Sequence, residues 1–320
     1  MQTFYNCFKL MKTMSENKNE LSLEGKMDDW GPFGKNEGKW LIFSIGNPEE
    51  GHGYALPRNI DDLVAQHTAH LIALKSGGRY VAHIPWATDY LVDIAKDWAP
   101  KIIPVEELVV KLKEFLKYHI EIFKQMGLPA SRVFIYSAHG GNNPLSQYAE
   151  NIKNELNLKK VLMPSTDDTG ASETLAKSVL EGMAKISSEI APNEGEARKL
   201  RRTFAKIING ASHASHFEHS AGAALGVLDE EKLKIMNHEL ERDFEAALKR
   251  WPPIGGLGGY ITAGGKYEVL GTKDNDEHGH WNCLKILRKL NGSKIVAIKE
   301  LGKLLIDKVA EFYADLLTTD

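Results

Sequence analysis

The chain has 320 residues, 42% of them hydrophobic and 26% charged, with a formal net charge of −3 from 40 basic and 43 acidic side chains. This composition suits a folded chain with a sizeable core rather than a disordered one. The balanced charge gives no basic face for nucleic acid, and no apolar run is long enough to span a membrane. The two cysteines, Cys7 and Cys283, can build neither a disulfide framework nor a thiolate metal site. Residues 1–36 mix lysines and acids without an apolar signal core, so they are expected to form an N-terminal extension, and the protein is expected to be cytoplasmic.

From Trp40 the pattern becomes regular. The run "WLIFSIG" ends in Gly46 and predicts a buried strand. Pro57 opens a helix closed by Gly77 and Gly78, and "RYVAHIPW" (79–86) predicts a second strand. A long amphipathic helix is expected over 105–127, and a third strand over 132–142 running into a glycine loop. A helix beginning at Pro144 and a fourth strand over 159–166 follow. Strands alternating with helices predict βαβ units: an α/β fold of three α/β/α layers around a mainly parallel sheet. Beyond residue 166 come a helical stretch near 170–191, a further helix over 230–250, a glycine-rich insertion over 252–282, and a short strand before a final helix. No second domain is marked, so 37–320 reads as one unit.

In a parallel sheet, ligands gather outside the carboxyl ends of the strands. Glu50 and His52 follow the first strand, Asp61 opens the next helix, and His139 follows the third strand. In an extended backbone, residues two apart point to the same side, and a helix N-terminus favours an ionised Asp61. Carboxylates with imidazoles suit Zn²⁺, Mn²⁺ or Fe²⁺, and Glu218 offers a further ligand. Taken singly, each piece fits a solvated loop equally well. "HGGN" also resembles an oxyanion loop, but no G-x-S-x-G elbow supplies a nucleophile. "GGLGGYITAGGKY" lacks the order of a phosphate-binding loop.

The combination resembles the creatininase (creatinine amidohydrolase) family. That family's E-Q-H-G-P-H-L-P-L-G-T-D block is Glu50-Gly-His52-Gly-Tyr-Ala-Leu-Pro-Arg-Asn-Ile-Asp61 here, with its spacing kept. Its N-G-H-G-G-N is "SAHGGNN", and its H-A-G-x-x-E-T-S is His213-Ala-Ser-His-Phe-Glu218-His-Ser220. The resemblance runs from about Trp40 to the end, less the insertion, and implies a creatininase-like domain with two divalent ions (Zn, Mn or Fe). By position, Glu50, Asp61 and His139 would hold one ion and His52, Asp61 and Glu218 the other. His213 would be the catalytic proton carrier. The activity implied is hydrolysis of a small cyclic or amide-like substrate by a metal-activated water, in a homo-oligomer that in many members is a hexamer.

The departures fall around the pocket. Ala55 replaces the second histidine of the first block, and Ser215 and His219 replace a glycine and a threonine of the third. Arg58, Asn142, His216, His219, His278, His280 and Trp281 are the candidate substrate-binding residues. His67, His70, His119 and His238 read as surface or core-edge residues, whereas His83 could line the same rim. Two alternatives stay open: ring-opening carbon–carbon hydrolysis of an inositol-derived cyclic diketone, as in 3-dehydro-scyllo-inosose hydrolases, and a non-catalytic metabolite-binding scaffold.

Overall fold

A computed structural model of the chain describes residues 40–89, 99–128, 130–209, 213–243, 246–247, 250 and 294–319. The extension 1–36 and the insertion 252–282, with His278, His280 and Trp281, lie outside the described residues.

Strand β1 (Leu41–Ile45) is buried at all five positions, as a strand covered on both faces must be. It pairs in parallel with β2 (Arg79–Ile84) on one side and β3 (Arg132–Ser137) on the other, and β4 (Lys160–Leu162) extends the sheet beyond β3. The order is β2-β1-β3-β4. Alternate residues of β1 serve opposite layers. Leu41, Phe43 and Ile45 pack with Leu108, Val109, Leu112 and Leu116 of helix α2 (Val105–Gln125). On the other face, Ile42 packs with Ala65, Ala69, Ile72 and Ala73 of α1 (Ile60–Ser76), and with residues near the C-terminus. Each buried aliphatic side chain of this kind stabilises the fold by roughly 1.5–3 kcal/mol.

The chain therefore leaves β1 over one face toward β2 and reaches β3 over the other. The winding reverses between β1 and β3, and a crevice opens there at their carboxyl ends. After Ser137 a 3-10 helix (Gly140–Tyr148) carries Pro144 internally and passes into α3 (Ala149–Glu155), where a single helix starting at Pro144 was expected.

Helices α4 (Thr166–Ala171) and α5 (Glu173–Ile190) replace the expected helical stretch. Ser165 and Ser172 cap them by accepting from the backbone N–H groups of Asp168 and Leu175. Helix α6 (Glu194–Asn209), which the sequence reading did not single out, pairs with α5. Helices α7 (His216–Ala224) and α8 (Glu230–Arg242) follow, and α9 (Lys299–Thr319) lies beside α1 and contributes Ala310, Tyr313 and Leu317 to that face.

The short strand expected before α9 does not join a ladder. Residues 294–298 take no regular secondary structure, and side chains satisfy part of their backbone: Asn237 bonds both polar groups of Ile295, His216 Nδ1 accepts from Val296 N–H, and Ser220 Oγ accepts from Ile298 N–H. No helix among the described residues is long and apolar enough to cross a membrane.

Candidate metal centre

Three local features bring the titratable side chains together at the crevice. Gly46 ends β1 directly beneath the first turn of α1, where a Cβ would collide with the backbone of Asp61 and Asp62. Its absence lets the turn from Asn47 to Arg58 fold back, closed by the Glu50 N–H bond to Arg58 O at 2.9 Å. Asp61 thereby stands in the first turn of α1, beside the loop that carries Glu50 and His52. His139 is the residue before the 3-10 helix, and its loop is tied in by Asn142, which donates to Gly46 O at 2.9 Å and accepts from Thr88 N–H at 3.0 Å. Ala214 holds a left-handed backbone (φ 52°), rare for a residue with a Cβ, and so turns His213 and Glu218 toward the same space. Its N–H bonds to Glu218 Oε2.

The resulting distances are short. His139 Nδ1 lies 3.0 Å from Asp61 Oδ2 and 3.1 Å from Glu50 Oε2. His52 Nε2 lies 3.4 Å from Asp61 Oδ1 and 3.7 Å from Glu218 Oε2. Three donor groups each fall within 4.8 Å: Glu50, Asp61 and His139; His52, Asp61 and Glu218; and Glu50, His52 and His213. Asp61 is shared by the first two, one oxygen facing each histidine. His213 Nε2 meets Gly51 O at 2.6 Å, which assigns its proton to that nitrogen, and Nδ1 faces Glu50 Oε1 at 3.3 Å.

Burial and mutual charge set the protonation of this cluster. Burial opposes charge on His52, but Asp61, Glu218 and Glu50 outweigh it and raise its pKa to about 10. His139 is likewise raised well above the usual range, by Glu50 and Asp61 against the cost of burial. Burial would raise Asp61, yet His52 and His139 hold it well below the carboxylate range. Burial pushes Glu218 up to about 8, with His52 opposing and the neighbouring carboxylates adding to it. Burial lowers His213, and the repulsion of His52 adds to that, while Glu50 opposes. Cationic histidines thus occupy positions that the carboxylates hold for positive charge.

Oxygen and imidazole donors of this kind fit divalent Zn, Mn or Fe. Glu50 Oε2 and His52 Nε2 are also buried without an aligned hydrogen-bond partner, as atoms awaiting an ion would be.

The other singled-out residues lie as follows. Arg58 is half-exposed and pairs with Glu49, Nε to Oε1 at 3.3 Å. Asn142 has both ends of its amide engaged in the loop ties described above. His216 and His219 are buried on α7. His219 Nδ1 donates to Ser215 O at 2.9 Å, and both residues keep an unpartnered Nε2. His83 sits between Ser44 Oγ (2.9 Å) and Asp62 Oδ1 (3.0 Å). Of the four histidines read as surface or core-edge, His67, His70 and His238 are exposed and His119 is partly buried. Two neighbours of the cluster escaped the sequence reading: Asn47, 3.5 Å from His139 Nε2, and Asp89, 3.7 Å from it. The signal for Asp89 was its place just past the carboxyl end of β2, on the same rim.

No protein-family model matches the chain. It is similar to the 2-amino-5-formylamino-6-ribosylaminopyrimidin-4(3H)-one 5'-monophosphate deformylase of Methanosphaera stadtmanae, 30% identical over 118 residues, 37% of this chain and 47% of that one. The enzyme of the same description from Methanothermus fervidus is 26% identical over 190 residues, 53% of this chain and 70% of that one. The chain thus spans 47% of the length of the first of these relatives. Among solved structures, a tryptophan-to-phenylalanine mutant of creatininase has a TM-score of 0.49 at 14% identity, covering 94% of this chain and 97% of that one. A glutamate-to-glutamine creatininase mutant of the Zn-Zn type has a TM-score of 0.45 at 14% identity, covering 94% and 96%.

Proposed function

We propose that this chain, which resembles the creatininase family in its motifs, is a divalent-metal-dependent hydrolase that cleaves an amide-like C–N bond of a small substrate. The observation that carries the reading is the pair of buried donor triads sharing Asp61: Glu50, Asp61 and His139 beside His52, Asp61 and Glu218. Two ions held there would lower the pKa of a water and polarise a carbonyl oxygen. His213 supplies the proton transfer. Gly51 O fixes its ring, burial keeps it neutral, and Nδ1 faces the cluster, 3.3 Å from Glu50 Oε1. As the C–O bond forms, Nδ1 takes the proton, and as the C–N bond breaks it delivers that proton to the leaving nitrogen. The curated relatives are described as deformylases, so formamides attached to a heterocycle, together with cyclic amides, are the substrates to screen.

The test is elemental analysis of protein purified without added metal or chelator, alongside the Asp61→Ala variant, followed by assay on those amides. About two equivalents in the wild type, lost in the variant, with amide turnover that disappears alongside, are expected. Metal that is substoichiometric in the wild type and unchanged in the variant would leave a binding scaffold instead.

A further inference from the structure

The geometry points to Asp89 as the positioning residue that fixes the tautomer of His139 once a divalent ion is bound; this rests on the proposed metal centre. His139 Nδ1 faces Glu50 and Asp61, so Nδ1 is the nitrogen that would meet an ion, and the ring proton must then sit on Nε2. Among the described residues, two groups face Nε2. Asn47 presents Nδ2 at 3.5 Å, and its amide is oriented by Oδ1 accepting from Glu49 N–H at 3.2 Å. An N–H on Nε2 would therefore point a donor at a donor.

Asp89 Oδ2, 3.7 Å away on a side chain only 10% exposed, is the acceptor that resolves the conflict. Carboxylates behind metal-bound imidazoles hold the ring and raise its basicity. Two features keep Asp89 in place. Thr88 N–H donates to Asn142 Oδ1 in the loop that carries His139. Gly141 has no Cβ, and one built there would strike His139 Nε2 and come within 2.6 Å of Asp89 Oδ2. A side chain at position 141 would therefore push the His139 ring and the Asp89 carboxylate out of their present places. An ion at Nδ1 takes the place of the proton there, and the proton on Nε2 then has Asp89 as its acceptor.

The experiment is zinc titration of chelator-stripped protein by calorimetry, for wild type, Asp89→Asn, Asp89→Glu and Asp61→Ala, with nitrogen-15 spectra of the histidine rings of zinc-loaded wild type. Asp89→Asn keeps the shape and removes the charge. It is expected to weaken one of two zinc sites about 10–100-fold and leave the other unchanged, with Asp89→Glu recovering part of the loss. The wild-type spectrum is expected to show His139 protonated on Nε2. Wild-type zinc affinity in Asp89→Asn, or an Nδ1-protonated His139 in the zinc-loaded wild type, overturns the role of Asp89. Asp61→Ala that still binds two zinc ions overturns the metal centre itself, a separate result. The spectrum needs no variant, so an Nδ1-protonated ring overturns the role of Asp89 even where Asp89→Asn fails to fold, and Asp89→Glu then carries the affinity comparison.

Discussion

Asp61 Oδ2 and His139 Nδ1 stand 3.0 Å apart, joining the first turn of α1 to the loop beyond β3. Its other oxygen faces His52, so removing the three residues should have graded effects. His139→Gln and His52→Gln are each expected to retain about one equivalent of metal, and Asp61→Ala none. Elemental analysis of the three proteins reads this directly, and equal losses in all three would contradict a shared carboxylate.

His213 also forms a donor group with Glu50 and His52. A proton carrier and a ligand differ in what its removal does. His213→Asn is expected to keep the wild-type metal content while kcat falls about 10²–10⁴-fold. Loss of metal together with activity would make His213 a ligand.

Ala214 at φ 52° is a buried residue in a region that costs a Cβ-bearing residue roughly 1–2 kcal/mol. Ala214→Gly is expected to be nearly neutral in thermal unfolding, because relief of strain offsets the added freedom of the unfolded chain. Ala214→Val, β-branched and larger, is expected to lower Tm and weaken metal binding, since the same turn sets His213 and Glu218. An unchanged Tm in Ala214→Val would show that the turn is not constrained.

Burial holds His216 down to about 4 and His219 to about 3. Above a pH of about 6.5 neither the folded nor the unfolded state binds these protons, and the stability is fully present. Below it the unfolded chain takes them up first, so stability falls by at most about 1.4 kcal/mol per pH unit per group until the folded pKa is reached. Urea unfolding at pH 7.5 and 5.5 should show this loss in the wild type and a smaller one in His219→Gln. Equal losses would mean that His219 does not contribute.

The central layers were legible because their signals are local. Five consecutive buried residues in β1, and the 3.6-residue spacing of Leu108, Leu112 and Leu116, need no knowledge of what lies opposite. The spacing from Glu50 to Asp61 was equally local, and the structure brings those side chains together with His139, His213 and Glu218. What stayed hidden depends on partners far along the chain. The segment 294–298 has a strand's composition, but its hydrogen bonds go to His216, Ser220 and Asn237. Helix α6 carries Ala197, Leu200, Phe204 and Ile208 at helical spacing among its charges, so the helix itself was legible and only its pairing with α5 depends on a distant partner. His83, at the end of β2, is held by Ser44 and by Asp62, the neighbour of Asp61 in α1.

Trp40 Nε1 donates to Leu317 O at 3.0 Å, so the residue that precedes β1 is fastened to α9. Tyr313 of the same helix packs its ring against Phe134 and Tyr136 on that face of the sheet. A chain cut before α9 would therefore carry uncovered aromatic surface on its sheet, and apolar patches of that kind favour association.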